Sequence, residues 1–168
     1  SDKLKKILID LHIQFVDSQD GERVLINTDD VTEDIRTNEI STLASKFAAN
    51  NFVRTILREM QRRLVKNKDY IAEGRDMGTY VFPDAKYKFY LDADLAIRAK
   101  RRAGQLKEIL GIAINEDRVS KEISDRDNLD MTRESCPLHP ADDAVIINTT
   151  DMNIDDVVRK IEAVINSA

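Results

Sequence analysis

Apolar residues recur along this chain with two different periods, and the change of period divides it into elements. After a short opening helical stretch, the runs HIQFV and RVLIN flank the turn DSQDGE. Two short apolar runs across a glycine-containing turn predict a β-hairpin within the first part, Ser1 to about Asp34. From Asn38 to about Lys66 the period lengthens to that of a helix. Ile40, Leu43 and Phe47 line one face, and beyond a break at Asn50-Asn51 the face continues through Val53, Ile56, Leu57, Met60 and Leu64. Three short apolar strands then follow: Tyr70-Ile71 leading into Ala72-Glu73, Tyr87 to Leu91, and Ala144 to Ile147. Helices from about Leu95 to Leu110 and from Glu116 to Asp125 lie between the second and third. A last helix carries Ile154, Val157, Val158, Ile161 and Ile165. Strands alternating with helices predict βαβ units, hence an α/β fold with a parallel sheet. Ligands of such sheets sit beyond the carboxyl ends of the strands.

Composition narrows the function classes. The 168 residues are 42% hydrophobic and 34% charged, which suits a globular α/β protein, and no apolar run approaches the roughly 20 residues that cross a bilayer. No secretory signal stands in SDKLKKILIDL, and the single cysteine, Cys136, excludes an internal disulfide framework. A reducing, cytoplasmic setting and no membrane partner are therefore expected. Cys136 with His12 and His139 makes no zinc pattern. A net charge of -5 argues against nucleic acid as the main partner, though it leaves room for a local cluster of arginines facing a small anion.

Two runs hold such arginines. Directly after the first expected parallel strand comes Glu73-Gly74-Arg75-Asp76-Met77-Gly78-Thr79. Its glycines allow a sharp turn close to a ligand, Arg75 offers a planar fork for phosphate oxygens, and Asp76 can orient an arginine or accept from a base or ribose. An ordinary turn with a surface ion pair reads this run equally well. The second run is Asp125-Arg126-Asp127-Asn128-Leu129-Asp130-Met131-Thr132-Arg133. On a helix Arg126, Asp130 and Arg133 share a face at i, i+4 and i+7, able to clamp a phosphate while the aspartate takes a hydroxyl. On spacing alone a solvated, salt-bridged face is the better reading. Arg36, Ser45 and Arg54 are further candidates that singly read as surface. Arg98, Arg101 and Arg102, on the helix after YKFYLDA, also read as solvated, or else as a cover reaching a transferring phosphoryl group.

The runs IAEGRDMGTYVFPDAKYKFYLDA, RAKRRAGQLKE and DRDNLDMTRESCPLHPADDAVIINTTDMNIDDVV resemble the bacterial cytidylate kinase family in order and spacing. LINTDDVTEDIRTNEISTLASKFAANNFVR resembles the same family's nucleotide-binding insert, so the likeness runs from about His12 onward. It implies a P-loop kinase-type parallel sheet with flanking helices and a small hairpin-and-helix insert for the nucleoside monophosphate. Residues 1–66 would be that insert, and 67–168 the core with a lid at about 98–118. The implied reaction is phosphorylation of CMP or dCMP to the diphosphate, with ATP as donor together with Mg²⁺. The implied partners are CMP, dCMP and ATP, in a protein monomeric at full length.

Carried over residue by residue, the resemblance assigns Ser45 and Asp76 to the cytosine and Arg54 to the base or nucleotide. Arg75 and Arg133 go to the CMP phosphate, and Arg126 to the phosphate in transfer. Asp130 goes to the sugar hydroxyls, and Arg101 to ATP from the cover segment. Thr149-Thr150 would line the adenine side, and Cys136 and His139 would be incidental. The family pattern opens with a strand and a phosphate loop, but none of the five glycines here begins G-x-x-x-x-G-K-[ST]. The expectation is therefore a chain without that strand and loop, with exposed apolar sheet edges and negligible ATP-dependent turnover on its own. Three functions stand open at this point: an ATP-dependent CMP kinase, a catalytically dead CMP-binding fragment, and an interaction protein whose arginines are surface charge.

Overall fold

The computed structural model describes residues 6–8, 10–19, 21–37, 40, 43–44, 47, 50–67, 69–111 and 113–167. They divide into two compact units, Ser1–Asp69 and Tyr70–Ala168.

The first unit contains the expected hairpin. Strand β1 (Ile13–Ser18) pairs antiparallel with β2 (Gly21–Ile26), with Phe15 opposite Val24 and Ser18 opposite Gly21. The Ser18 hydroxyl donates to the Gly21 carbonyl across the turn at 2.6 Å. A two-residue strand, β3 (Asp29–Asp30), joins the other edge of β2. Helix α1 (Asn51–Leu64) begins where the apolar face breaks, because Asn50 is its cap: the side-chain carbonyl accepts from the backbone N–H of Phe52 and Val53. Val53 and Met60, two turns apart on that face, are buried. Of the helical stretch expected ahead of α1, Ile40, Leu43, Ala44 and Phe47 are helical, and the other residues between 38 and 49 lie outside the described ones.

The second unit is mixed α/β. Strand β4 (Phe89–Asp92) pairs parallel with β5 (Val145–Asn148), in register Phe89 to Val145 through Asp92 to Asn148. Their crossover is a helix pair, α2 (Leu95–Leu110) and α3 (Glu116–Thr132). Ala99 and Ala103 on α2 let α3 approach closely, and with Val119 they form a buried cluster against Leu106, Ile114 and Ile123. Gly111 closes α2 in the left-handed conformation (φ 67°), its N–H on the Lys107 carbonyl, a C-cap where a Cβ would be strained. Helix α4 (Ile154–Asn166) starts from a capping box made by Asn153 and Asp156.

Two expectations need correcting. Tyr70 to Ala72 has no regular secondary structure and forms no ladder among the described residues, and Ile71 is fully exposed. A strand needs a hydrogen-bonded neighbour as well as an apolar run, and among the described residues of the second unit the ladder joins β4 to β5 alone. Helix α3 continues to Thr132 instead of ending near Asp125, so the second arginine run is helical almost to its end. Among the described residues no helix is long and apolar enough to cross a membrane.

Candidate functional site

Both arginine runs fall within the second unit, and the fold brings them together. Gly74 has φ 157°, and a Cβ there would come within 2.9 Å of the Met77 side chain, so the turn is built around a missing side chain. Beyond it, Met77–Val81 forms a single π-helical turn in which the Asp76 carbonyl accepts from Tyr80 and Val81. Arg75 and Asp76 therefore leave the chain between a glycine bend and a helical turn. The late turns of α3 supply Arg126, Asp127 and Asp130, with Arg133 as C-cap.

The contacts form a network. Arg75 donates through Nη1 to Asp127 Oδ1 at 2.8 Å, and its Nε lies 3.0 Å from Asp130 Oδ2. Arg98, from the first turn of α2, donates through Nη1 to Asp127 Oδ2 and through Nε to the Ala93 carbonyl just past β4, at 2.9 Å. Arg133 donates through Nη1 to Asp130 Oδ1 at 2.9 Å and through Nε to the Cys136 carbonyl at 2.6 Å; its Nη2 lies 4.0 Å from Asp76 Oδ2. Arg126 is mostly exposed, 4.0 Å from Asp130 Oδ2. Four guanidiniums thus face three carboxylates, a formal surplus of one positive charge.

Two buried atoms in this network lack a hydrogen-bond partner among the described residues: the donor Arg133 Nη2 and the acceptor Asp130 Oδ2, whose ion pair with Arg75 lacks hydrogen-bond alignment. Buried polar groups are paired in the great majority of cases, and leaving one unpaired costs about 1–3 kcal/mol. An orphan donor beside an orphan acceptor complements a ligand carrying both an anionic oxygen and a hydroxyl.

Burial pushes the Asp127 pKa up, but hydrogen bonds from Arg75 and Arg98, with the attraction of both charges, outweigh it and hold the carboxyl below its usual value. A depressed carboxylate contributes stability above its unfolded pKa of about 3.9, and that contribution is lost as pH falls through the lowered folded value. The expected result is a difference in melting temperature between the native chain and Asp127→Asn that is constant near neutrality and shrinks below about pH 4. A difference that stays constant into acid would mean the charge on Asp127 is not what stabilises.

The remaining candidates lie elsewhere. Arg54 is on α1 in the first unit, and Ser45 lies outside the described residues. Arg36 makes an exposed ion pair with Glu33 at 2.9 Å, and Arg102 is exposed, with Gln105 at 3.5 Å. The Arg101 guanidinium is occupied by the loop after β5. It donates to the Thr149 hydroxyl at 3.1 Å and to the carbonyls of Thr149 (2.6 Å), Met152 (3.0 Å) and Thr150 (3.4 Å). Cys136 is buried at φ 51°, and the carbonyl it turns toward Arg133 gives its position a use that side-chain chemistry did not reveal. Asp127 was assigned no role from sequence, and Arg98 only that of a solvated or cover arginine. Asp127 lies one residue, about 100° of helix, from Arg126, off the face drawn through Arg126, Asp130 and Arg133. The Arg-Asp pairing at 126–127 was the available signal.

A sequence model described as Cytidylate kinase matches residues 1–167. A cytidylate kinase of Carboxydothermus hydrogenoformans is 38% identical over 162 residues, covering 96% of this chain and 72% of the relative. One of Shewanella amazonensis is 46% identical over 158 residues, 93% of this chain and 68% of the relative. One of Clostridium botulinum is 40% identical over 164 residues, 98% and 73% respectively. The chain belongs to the cytidylate kinase family. Membership makes it a member of a phosphotransferase family with ATP as phosphate donor, and the mixed α/β unit with its parallel strands agrees with a nucleoside monophosphate kinase fold. The family reaction implies a metal ion alongside ATP. Among the described residues no three potential metal ligands come together.

Proposed function

We propose that this chain binds CMP or dCMP at the Arg75–Arg133 cluster and serves ATP-dependent transfer of a phosphoryl group to it. The observation that carries this reading is the buried orphan pair, Arg133 Nη2 and Asp130 Oδ2, inside a cluster with surplus positive charge. Phosphoryl transfer asks for positioning and charge neutralisation more than covalent help, and a group of arginines supplies both. An oxygen of the CMP phosphate attacks the terminal phosphorus of ATP; a new P–O bond forms as the bond to ADP breaks. Arg75 and Arg133 hold the acceptor phosphate in this reading, and the exposed, loosely paired Arg126 follows the group in transfer. Asp130 orients Arg133 and turns its remaining acceptor capacity to a sugar hydroxyl. Asp76 reads the cytosine side, and Arg101 acts on the ATP side through the Thr149–Met152 loop it holds.

A second reading, CMP binding without turnover, shares the same acceptor site. A melt of the chain with CMP, AMP or GMP tests what the readings share. A ligand that binds only the folded state stabilises it by RT ln(1 + [L]/Kd), about 2.7 kcal/mol at a hundredfold excess over Kd. The expected result is an upward shift with CMP and dCMP that AMP and GMP do not produce. Equal shifts with all four, or none, would overturn the acceptor-site reading. ATP consumption measured with CMP on the same sample separates kinase from binder.

A further inference from the structure

One carboxylate joins two of the site's arginines to the sheet. Asp127 has both oxygens occupied, Oδ1 by Arg75 and Oδ2 by Arg98, while Arg98 is tied through Nε to the Ala93 carbonyl at the end of β4. The path therefore runs from the sheet through Arg98 and Asp127 to Arg75, whose own backbone sits in a glycine bend. We infer that Asp127 is a positioning residue for the acceptor phosphate, fixing the plane of the Arg75 guanidinium before ligand arrives. This rests on the phosphate-binding reading above and adds the residue that makes Arg75 ready for it.

An unheld arginine explores many rotamers, and its fork binds phosphate well only when its plane is set. Asp127 and Asp130 take two positions of that fork, Nη1 and Nε, and leave Nη2 outside both contacts. Asp127 is also nearly buried, at 13% side-chain exposure against 32% for Arg75 and 36% for Arg98, so the anchored part of the path lies deeper than the arginines it holds. An aspartate is required by the arrangement. Asparagine has the same shape but only one acceptor oxygen, and it would turn an N–H donor toward one of the two guanidiniums.

The test compares affinities for CMP and for cytidine, which lacks the phosphate, by calorimetry on the native chain, Asp127→Asn, Arg75→Ala and the double variant. Because Asp127 acts on the phosphate through Arg75, Asp127→Asn is expected to lower the CMP-to-cytidine affinity ratio about tenfold, and to have no further effect once Arg75 is alanine. A merely structural role would weaken both ligands alike and leave the ratio unchanged. That result, or additive effects in the double variant, overturns the inference. Should Asp127→Asn fail to fold, Arg98→Ala breaks the same path at its other link and leaves the aspartate charged; the same fall in ratio is expected, and an unchanged ratio counts against the inference equally. A ratio that Arg75→Ala and Arg133→Ala leave intact would remove the phosphate reading itself. A ratio that responds to Arg75→Ala but not to Asp127→Asn removes only the role given to Asp127.

Discussion

Arg133→Ala is expected to weaken CMP binding by about 2–3 kcal/mol, between one and somewhat over two orders of magnitude in Kd, while leaving cytidine affinity nearly unchanged. The side chain is held by the protein's own groups: Nη1 is on Asp130, Nε is on the Cys136 carbonyl, and Nη2 is buried without a hydrogen-bond acceptor among the described residues. A group ordered in advance loses little further entropy when a phosphate oxygen reaches it, so most of that charge-assisted hydrogen bond counts toward affinity. The cost to folding should be smaller than the cost to binding. Asp130 keeps Arg75 at 3.0 Å as a counter-charge, so the substitution does not strand a lone buried carboxylate. Calorimetric titration of CMP and cytidine into native and variant chains checks this. Equal losses for both ligands would show that Arg133 supports the fold, and an unchanged CMP affinity would leave the orphan nitrogen without a ligand role.

The sequence made the local elements legible where the signal was itself local. Asn50 marks the start of α1 because a cap acts within three residues, and Phe15 and Val24 meet because a short turn sets the hairpin register. The two-residue β3 is too short to carry a period, and it is held by pairing with β2 that the pattern does not encode. Tyr70 to Ala72 has the composition of a strand, but a ladder depends on a partner distant in the chain. The site divides in the same way. The spacing of Arg126, Asp130 and Arg133 follows from one helical period, whereas Asp127 meets Arg75 across 52 residues and Arg101 meets Thr149 across 48. Arginine contacts of that separation are set by tertiary packing, and no short motif carries them. The resemblance to a family proposes which arginines to weigh; the structure adds what they lean on.

Ile147→Ala is expected to destabilise the second unit by about 3–4 kcal/mol, the upper part of the range for a large aliphatic residue cut to alanine in a core. Ile147 is the one large side chain among the described residues with no exposed surface, and it lies on β5 opposite Leu91 of β4. Its loss opens a cavity where the side chain is fully enclosed. The position also bears on the site. Two residues on, Thr149 donates its N–H (2.7 Å) and its hydroxyl (3.0 Å) to the Asp92 carbonyl, and one residue past Asp92 the Ala93 carbonyl receives Arg98. Slack in β5 therefore reaches the anchored end of the path through Arg98 and Asp127 to Arg75. Ile146 is the control: adjacent and equally apolar but 61% exposed, its change to alanine should fall within about 0.5 kcal/mol of native. Denaturant unfolding of both variants, followed by a probe in the second unit, makes the comparison. Equal losses at the two positions would mean that Ile147 is not buried in solution as it is here. A large loss at Ile147 alone, with CMP affinity falling more than cytidine affinity under native conditions, would tie the stability of the sheet to the readiness of the phosphate site.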